Sequence, residues 1–353
     1  MTTPNGLAPS STLTASVIIP AYNAAATLEA CLQALLRQTV SAESYEIIVV
    51  DDASTDSTAA IATSNGARIV TLPVNQGRSH ARNAGAQAAT APILLFTDAD
   101  CEPFADWIEQ MLAPFERDAA VVGVKGTYRN KQHNLVARFT QLELEDKYDT
   151  MAQQDQIAFI DTYSAGFRRD VFLANDGFDP ALTYSLLEDQ DFSFRLAAQG
   201  HKMVFAPDAH VFHRHLTNPV GYYKRKFVIG RSKVTVLRRH PDRISADSRT
   251  PLSLKVQFVL AVLLTPLLPL AFFWRPARYL VAILAAAFDL STVPFWIKGL
   301  RRDVVATLVA PVMLPLRAFG LAHGYVIGTL FGKKIAPNTS ESTAHFPQKE
   351  SIS

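Results

Sequence analysis

At 353 residues the chain is longer than one ordinary domain needs, and its formal net charge of +2 gives no reason to expect a nucleic-acid partner. Two cysteines, Cys31 and Cys101, exclude a disulfide framework. The charge is uneven: the stretch from Arg214 to Arg243 is dense in arginine and lysine and holds a single acid, Asp242.

Residues 1–14 are Ser/Thr/Ala-rich, lack an apolar core, and read as a disordered lead-in without a signal peptide. "SVIIP" (16–20) then gives a short buried strand, and "TLEACLQALLRQ" (27–38) a helix with its apolar stripe on Leu28, Cys31, Leu32, Leu35 and Leu36. "YEIIVVDD" is a second strand with carboxylates at its end, and "STDSTAAIATSNG" a helix opened by capping residues and closed by glycine. "RIVTLP", "RSHARNAGAQAA" and "PILLFTDAD" continue the alternation as strand, helix and strand. Such alternation with short links predicts an α/β doubly wound, mainly parallel sheet, whose ligands bind beyond the carboxyl ends of the strands. Tyr22, Asp51, Asp52, Asp98 and Asp100 all fall at such ends.

Past residue 217 the character changes. "YYKRKFVIGRSKVTVLRR" keeps Tyr223, Phe227, Val234 and Leu237 at helical spacing, with Lys224, Arg231 and Arg238 on an adjoining stripe. Residues 218–245 are therefore expected to form a basic amphipathic helix on anionic lipid headgroups. Leu252–Phe273 and Ala277–Ile297 are long and nearly free of charge, which predicts two membrane spans. A third run, Val304–Phe331, is broken by Pro311, Pro315, Arg317 and His323, and reads as a span, a re-entrant hairpin or an interfacial helix. Residues 250–332 are thus the expected membrane region, and the polar residues 335–353 a disordered tail. The basic cluster before the first span, and Arg301 and Arg302 after the second, place the domain of residues 15–217 in the cytoplasm under a multi-pass inner-membrane anchor.

Asp98 and Asp100, one residue apart at a strand end, are the sharpest chemical signal. Converging carboxylates suit a hard divalent cation that keeps positions open for phosphate; the plainer alternative is helix capping. "SVIIPAYNAAATLEACLQALLRQT", "EIIVVDDASTDST", "GRSHARNAG", "LLFTDADCEP" and "LLEDQDFSFRLAAQG" stand in the order and spacing of family 2 glycosyltransferases, which the chain resembles over roughly residues 14–215. The resemblance implies an inverting enzyme of GT-A fold using a nucleotide-diphosphate sugar, most simply UDP-linked. It also implies a Mg or Mn ion at Asp100, with Asp98 nearer the ribose. By the same analogy Pro20 and Tyr22 line the base, Asp52 accepts a hydrogen bond from it, and Arg78 and Arg82 lie near the diphosphate. Asp189 is the base that takes the acceptor proton, with Glu188 beside it.

Asp191 and Arg195, four apart, read as an ion pair within a helix. "TYSAGF" supplies Ser164, Ala165 and Gly166 as small residues for close approach to a sugar. In "HVFHRH", His213 is the candidate for the metal or diphosphate, with His215 on the same face. The expected function is transfer of a sugar to a hydroxyl of a lipid or lipid-linked glycan in cell-envelope polysaccharide or glycolipid synthesis. The alternatives are a processive polysaccharide synthase, whose Gln-x-x-Arg-Trp motif is replaced by "KRKFVIGRSK", a polyprenyl-phosphate transferase, and a silent nucleotide-sugar-binding membrane protein.

Overall fold

The computed structural model describes residues 13–185, 187–243 and 250–331. The expected lead-in, apart from residues 13 and 14, and the expected tail lie outside the described residues. The strands are β1 (Ala15–Ala21), β2 (Tyr45–Asp51), β3 (Arg68–Thr71), β4 (Ile93–Phe96), β5 (Cys101–Pro103), β6 (Val121–Arg129), β7 (Ala165–Arg168) and β8 (Lys202–His213). The helices around them are α1 (Leu28–Leu35), α2 (Thr58–Ser64), α3 (Arg78–Ala88), α4 (Trp107–Arg117), α5 (Leu135–Ala152), α6 (Arg169–Ala174) and α7 (Glu188–Ala198). The C-terminal part adds α8 (Pro219–Arg239), α9 (Leu252–Phe273), α10 (Arg275–Arg302), α11 (Val304–Thr307) and α12 (Ala310–Phe331).

The strands form one sheet in the order β3-β2-β1-β4-β7-β6-β8-β5. Its first four strands are parallel; β7 and β5 run against their neighbours, so the sheet is mixed but mainly parallel, as expected. The apolar strands are covered on both faces. Val17 and Ile19 of β1 pack into the core with Leu32 and Trp107, whereas Ile18 points into the opposite core with Phe96 and Phe172, the alternation a strand imposes. Within that second core Phe96, Phe167, Phe172, Phe178 and Phe192 form a close aromatic group; Phe172 and Phe192 lie 4.9 Å apart between centroids. Phe192 belongs to α7, so this group fixes the helix that opens with Glu188 and Asp189.

β4 and β5 are close in sequence but stand in the middle and at the edge of the sheet. The sheet curls, and residues 97–100 span the gap. β5 pairs antiparallel with the end of β8, Cys101 opposite His213, which carries the histidine to the acid-Ala-acid turn. Ser164 and Gly166, expected to approach a sugar, are instead core positions. Ser164 accepts a hydrogen bond from Trp107 Nε1 at 2.8 Å, and Gly166 is hemmed in by Leu95, Met111 and Phe115.

The C-terminal helices are tied to the sheet domain through α5. Arg138 makes two bonds to Asp303 at 2.8 and 2.6 Å, Lys298 reaches Asp146 at 2.6 Å, and Arg302 reaches Asp149 at 2.7 Å. Two helices among the described residues, α9 and α10, are long and apolar enough to cross a membrane. Many of their large apolar side chains are bare, Phe272 and Phe273 being 78% and 90% exposed, while Leu260, Phe288 and Phe295 are buried between helices. The third apolar run is divided into α11 and α12, and α12 lies along α8 in close contact. A methyl group on Gly324 would come within 2.0 Å of the Phe227 carbonyl oxygen, and one on Gly230 within 2.2 Å of that of Leu321. The buried positions of α8 are Tyr222, Lys226, Gly230, Val234 and Val236, one residue off the stripe that hydropathy alone selects at its start. Lys226 is buried because Glu143 of α5 meets it at 2.7 Å, with the Tyr222 hydroxyl donating to the same carboxylate at 2.6 Å.

Candidate active site

The walls of the site start at the ends of β1 and β2. Pro20 sits within β1 opposite Val50, and Tyr22, just past the strand, is 52% exposed with its ring free for stacking. Asn23 is left-handed (φ 48°) and its side chain accepts from the Thr55 N–H at 2.9 Å, tying the loop after β1 to the loop after β2. In that second loop Asp51 accepts from the Ser54 N–H at 3.0 Å, and Ala53 holds φ 61°, an unfavourable value for a residue with a Cβ.

Asp52 is buried, and its two oxygens accept from the backbone N–H groups of Gln76 and Gly77, each at 2.8 Å. It therefore shapes the turn into α3. Gly77 takes φ 85° there, a left-handed conformation that glycine adopts without strain. Arg78 and Arg82 follow one helical turn apart.

Both arginines turn inward. Arg82 is buried; its Nη2 lies 2.7 Å from Asp98 Oδ1 and its Nη1 3.0 Å from Glu188 Oε1. Arg78 Nη2 donates to Glu188 Oε2 at 3.3 Å. One cluster thus joins α3, the turn after β4 and the start of α7. Burial opposes ionisation of Asp98, but the charge and hydrogen bond of Arg82 hold its carboxyl below the usual range. Asp189, half-buried, lies within the field of the same arginines. Burial, then the charges of Glu188 and Asp161, push its carboxyl up to about 7. Pro20, Tyr22 and Asp52 are not joined to this cluster by a hydrogen bond or ion pair among the described residues.

A second corner lies across the turn. Asp98, Asp100 and Cys101 present ligand atoms within 4.8 Å of one another, and Asp100 Oδ2 is 3.6 Å from His213 Nε2. The Asp100 carboxyl is raised by burial and by Asp98, against the opposing charge of His213. The buried Nδ1 of His213 has no hydrogen-bond partner among the described residues. Carboxylate oxygens and an imidazole nitrogen fit a divalent cation such as Mg or Mn. Cys101 fits less well, because burial and the two aspartates raise its thiol and disfavour the thiolate. His215 faces elsewhere: its Nε2 lies 3.1 Å from Gln141 Oε1, and burial followed by the charges of His213 and Arg225 pushes it down to about 3.

Sequence reasoning missed the layer behind His213. The His213 ring stacks on Tyr128 at 4.4 Å, Tyr128 stacks on Tyr163, and Tyr163 accepts from Lys125 Nζ at 2.7 Å. Lys125 is fully buried and paired with Asp161, the residue whose charge reaches Asp189. A lone lysine inside "VVGVKGTY" was the available signal. The Asp191–Arg195 pair is present at 3.2 Å, and Asp191 also receives His240 at 3.0 Å from the end of α8.

The family model described as Glycosyl transferase family 2 matches residues 16–174. The glycosyltransferase AglE of Haloferax volcanii is 31% identical over 242 residues, 65% of this chain and 75% of its own length. The pre-mycofactocin glycosyltransferase of Mycobacterium tuberculosis is 27% identical over 236 residues, and this chain spans 48% of it. Among solved structures, mannosyltransferase PcManGT from Pyrobaculum calidifontis, in complex with GDP-Man and Mn2+, superposes with a TM-score of 0.55 at 19% identity. That likeness covers 92% of this chain and 89% of the other, and it is one of fold: a GT-A sheet with flanking helices.

Proposed function

The chain belongs to glycosyltransferase family 2, and on that premise we propose that it is a membrane-anchored inverting enzyme moving a sugar from a nucleotide-diphosphate donor, UDP-linked in the first instance, to a hydroxyl of a lipid or lipid-linked glycan. Asp189 is the base. The observation that carries this reading is geometric: Arg82 bridges Asp98 and Glu188 and so holds the start of α7, with Asp189 next to Glu188, against the acid-Ala-acid turn, and burial raises the Asp189 carboxyl toward neutral pH. Glu188, bound to Arg78 and Arg82, positions Asp189 and leaves it the proton transfer. Tyr22 offers a face for the base, and the N–H-rich turn at Gln76 and Gly77, shaped by Asp52, stands at the head of α3.

Asp100, with Asp98 and His213 beside it, would hold a Mg or Mn ion, which supplies charge neutralisation for the departing diphosphate. Residues 15–217 form the catalytic unit in this reading, and α9 and α10 its anchor. Their bare apolar surfaces support the anchor. The pairing of Arg302 and Lys298 with α5 supports an arrangement in which the end of α10 lies on the catalytic, cytoplasmic side of the inner membrane.

The test is a donor panel. Full-length protein in detergent is incubated with Mg or Mn and a set of UDP-sugars together with GDP-mannose, and release of free nucleotide diphosphate is scored. Turnover of one donor, abolished by EDTA, is expected; no turnover or exchange of any donor with either ion would remove the reading.

A further inference from the structure

Lys125 stands fully buried in the middle of β6, among residues that are otherwise apolar or small. Its Nζ is paired with Asp161 and donates to the Tyr163 hydroxyl at 2.7 Å. The Tyr163 and Tyr148 hydroxyls share a hydrogen bond at 2.8 Å, and that of Tyr148 accepts from the Tyr128 N–H at 2.9 Å. Burying charge is costly, and an apolar pair of the same volume would pack this region as well. What Lys125 and Asp161 add is charge at a fixed place.

That place adjoins α7. Residues 160–164 lead into β7, and Ser193 of α7 clasps the first of them. Its hydroxyl accepts from the Ile160 N–H at 3.0 Å and donates to the Asp189 carbonyl oxygen at 2.7 Å. One side chain thus ties the segment that holds Asp161 to the helical turn that carries Asp189. Asp161 acts electrostatically on Asp189 from there, as do Glu188 on α7 and Arg78 and Arg82 on α3. The remaining charges nearby are engaged elsewhere: Asp98 with Arg82, and Asp191 with Arg195 and, from the end of α8, Arg239 and His240. Each carboxylate acting on Asp189 therefore has its own cation. Glu188 has the two arginines, and Asp161 has the lysine.

We propose that Asp161 is a positioning residue for the base: held by Lys125 and set against α7 through Ser193, it is a fixed neighbouring carboxylate whose charge strengthens Asp189 as a proton acceptor. The role rests on Asp189 being the base of the transferase reading above.

Full-length protein in detergent is assayed with Mn for UDP release from the UDP-sugar that the donor panel selects, from about pH 5 to 9. UDP with Mn is titrated on the same samples. Wild-type turnover is expected to rise through neutrality. Asp161→Asn removes the neighbouring charge, so its rise should come about one pH unit lower, with UDP affinity and donor KM within about twofold. That substitution leaves Lys125 buried with a weaker partner, so Lys125→Met/Asp161→Asn, which removes both charges, is measured beside it and should show the same lowered rise. If both variants bind UDP as the wild type does and their rise is unmoved, Asp161 only packs and the proposal is overturned. Loss of UDP affinity in both assigns the pair to the fold or the donor and overturns it as well. If one variant alone loses UDP affinity, the pH profile of the other decides. A wild type with no turnover or a flat profile removes the base reading and this role with it, whereas a wild-type rise that the variants share removes the role alone.

Discussion

Arg82 Nη1 lies 3.0 Å from Glu188 Oε1, joining residues 106 positions apart in the chain. With Asp98 on its other nitrogen, this one guanidinium connects the acid-Ala-acid turn to the Glu188-Asp189 pair. Removing it would leave Asp98 without its paired cation and Glu188 with Arg78 alone. Loss of one partner of a buried pair costs about 3–5 kcal/mol, so Arg82→Ala should lower the denaturation midpoint sharply and abolish turnover. Arg82→Lys, which keeps the charge without the fork, should recover part of the stability and little turnover. Denaturant titration and donor turnover on the two variants check this.

Asp100 has no such structural duty, being half-exposed and paired, among the described residues, with His213 at 3.6 Å. Asp100→Asn is therefore expected to keep the thermal midpoint of the wild type and lose the part of donor affinity that Mn or Mg supplies. Calorimetry with and without EDTA reads it. Equal donor affinity in EDTA and Mn for the wild type would refute the metal assignment.

The pH dependence of Asp189 has opposite signs for activity and stability. Its carboxyl is raised from 3.8 to about 7 by burial, then by Glu188 and Asp161. Between those values the folded chain keeps a proton that the unfolded chain releases. This group's contribution to stability is thus full below 3.8 and is lost as the pH rises through about 7. Turnover should instead rise through the same range, because the base acts only when ionised. Asp189→Asn should lose ~10²–10⁴ in rate with donor affinity little changed. Its thermal midpoint relative to wild type should rise from acid to alkaline pH. A flat activity profile across neutrality would assign the proton transfer to another group.

These contrasts track what local sequence could and could not convey. β1, β2 and β4 were legible because each is an apolar run buried on both faces and punctuated at its end, and the acids at those ends marked the site. β5, three residues long, carries no periodic signal, yet it brings Cys101 opposite His213. The buried face of α8 begins at Tyr222 and Lys226 rather than at Tyr223 and Phe227, because hydropathy cannot anticipate Glu143, which neutralises Lys226 from another helix. Ser164 and Gly166 looked suited to a sugar, but their small size serves packing against Trp107, Leu95 and Met111. In each case the deciding partner is distant in the chain.

Asp52 is expected to act through the backbone it holds. Asp52→Asn retains one acceptor oxygen for two N–H donors, Gln76 and Gly77. Exchange of those two amides should speed up, and donor affinity should fall by about tenfold, ~1.4 kcal/mol, without loss of the sheet. Hydrogen exchange that leaves 76 and 77 as protected as in the wild type would separate Asp52 from that turn.

The last prediction concerns α12. A Cβ on Gly324 would meet the Phe227 carbonyl at 2.0 Å, backbone against backbone, so no side-chain rotation relieves it. Gly324→Val must therefore part α8 from α12, at a cost of about 1–3 kcal/mol for overpacking. The strain reaches the site because the end of α8 is tied to α7 and the loop before it: His240 lies 3.0 Å from Asp191, and Arg239 lies 2.7 Å from Asp179. Only Gln190 separates Asp191 from Asp189 on α7. Gly324→Val should thus lower both the thermal midpoint and turnover while UDP affinity changes little, since the donor side rests on α3 and the first strands. Leu330→Ala, at a position 67% exposed on the same helix, should change none of the three. It follows that truncation after Asp247 would strip α8 of its partner and bare Gly230 and Val234, so the shortened chain should be less stable than the full protein and prone to associate. Turnover of Gly324→Val equal to wild type, with the midpoint lowered, would confine α12 to a structural role.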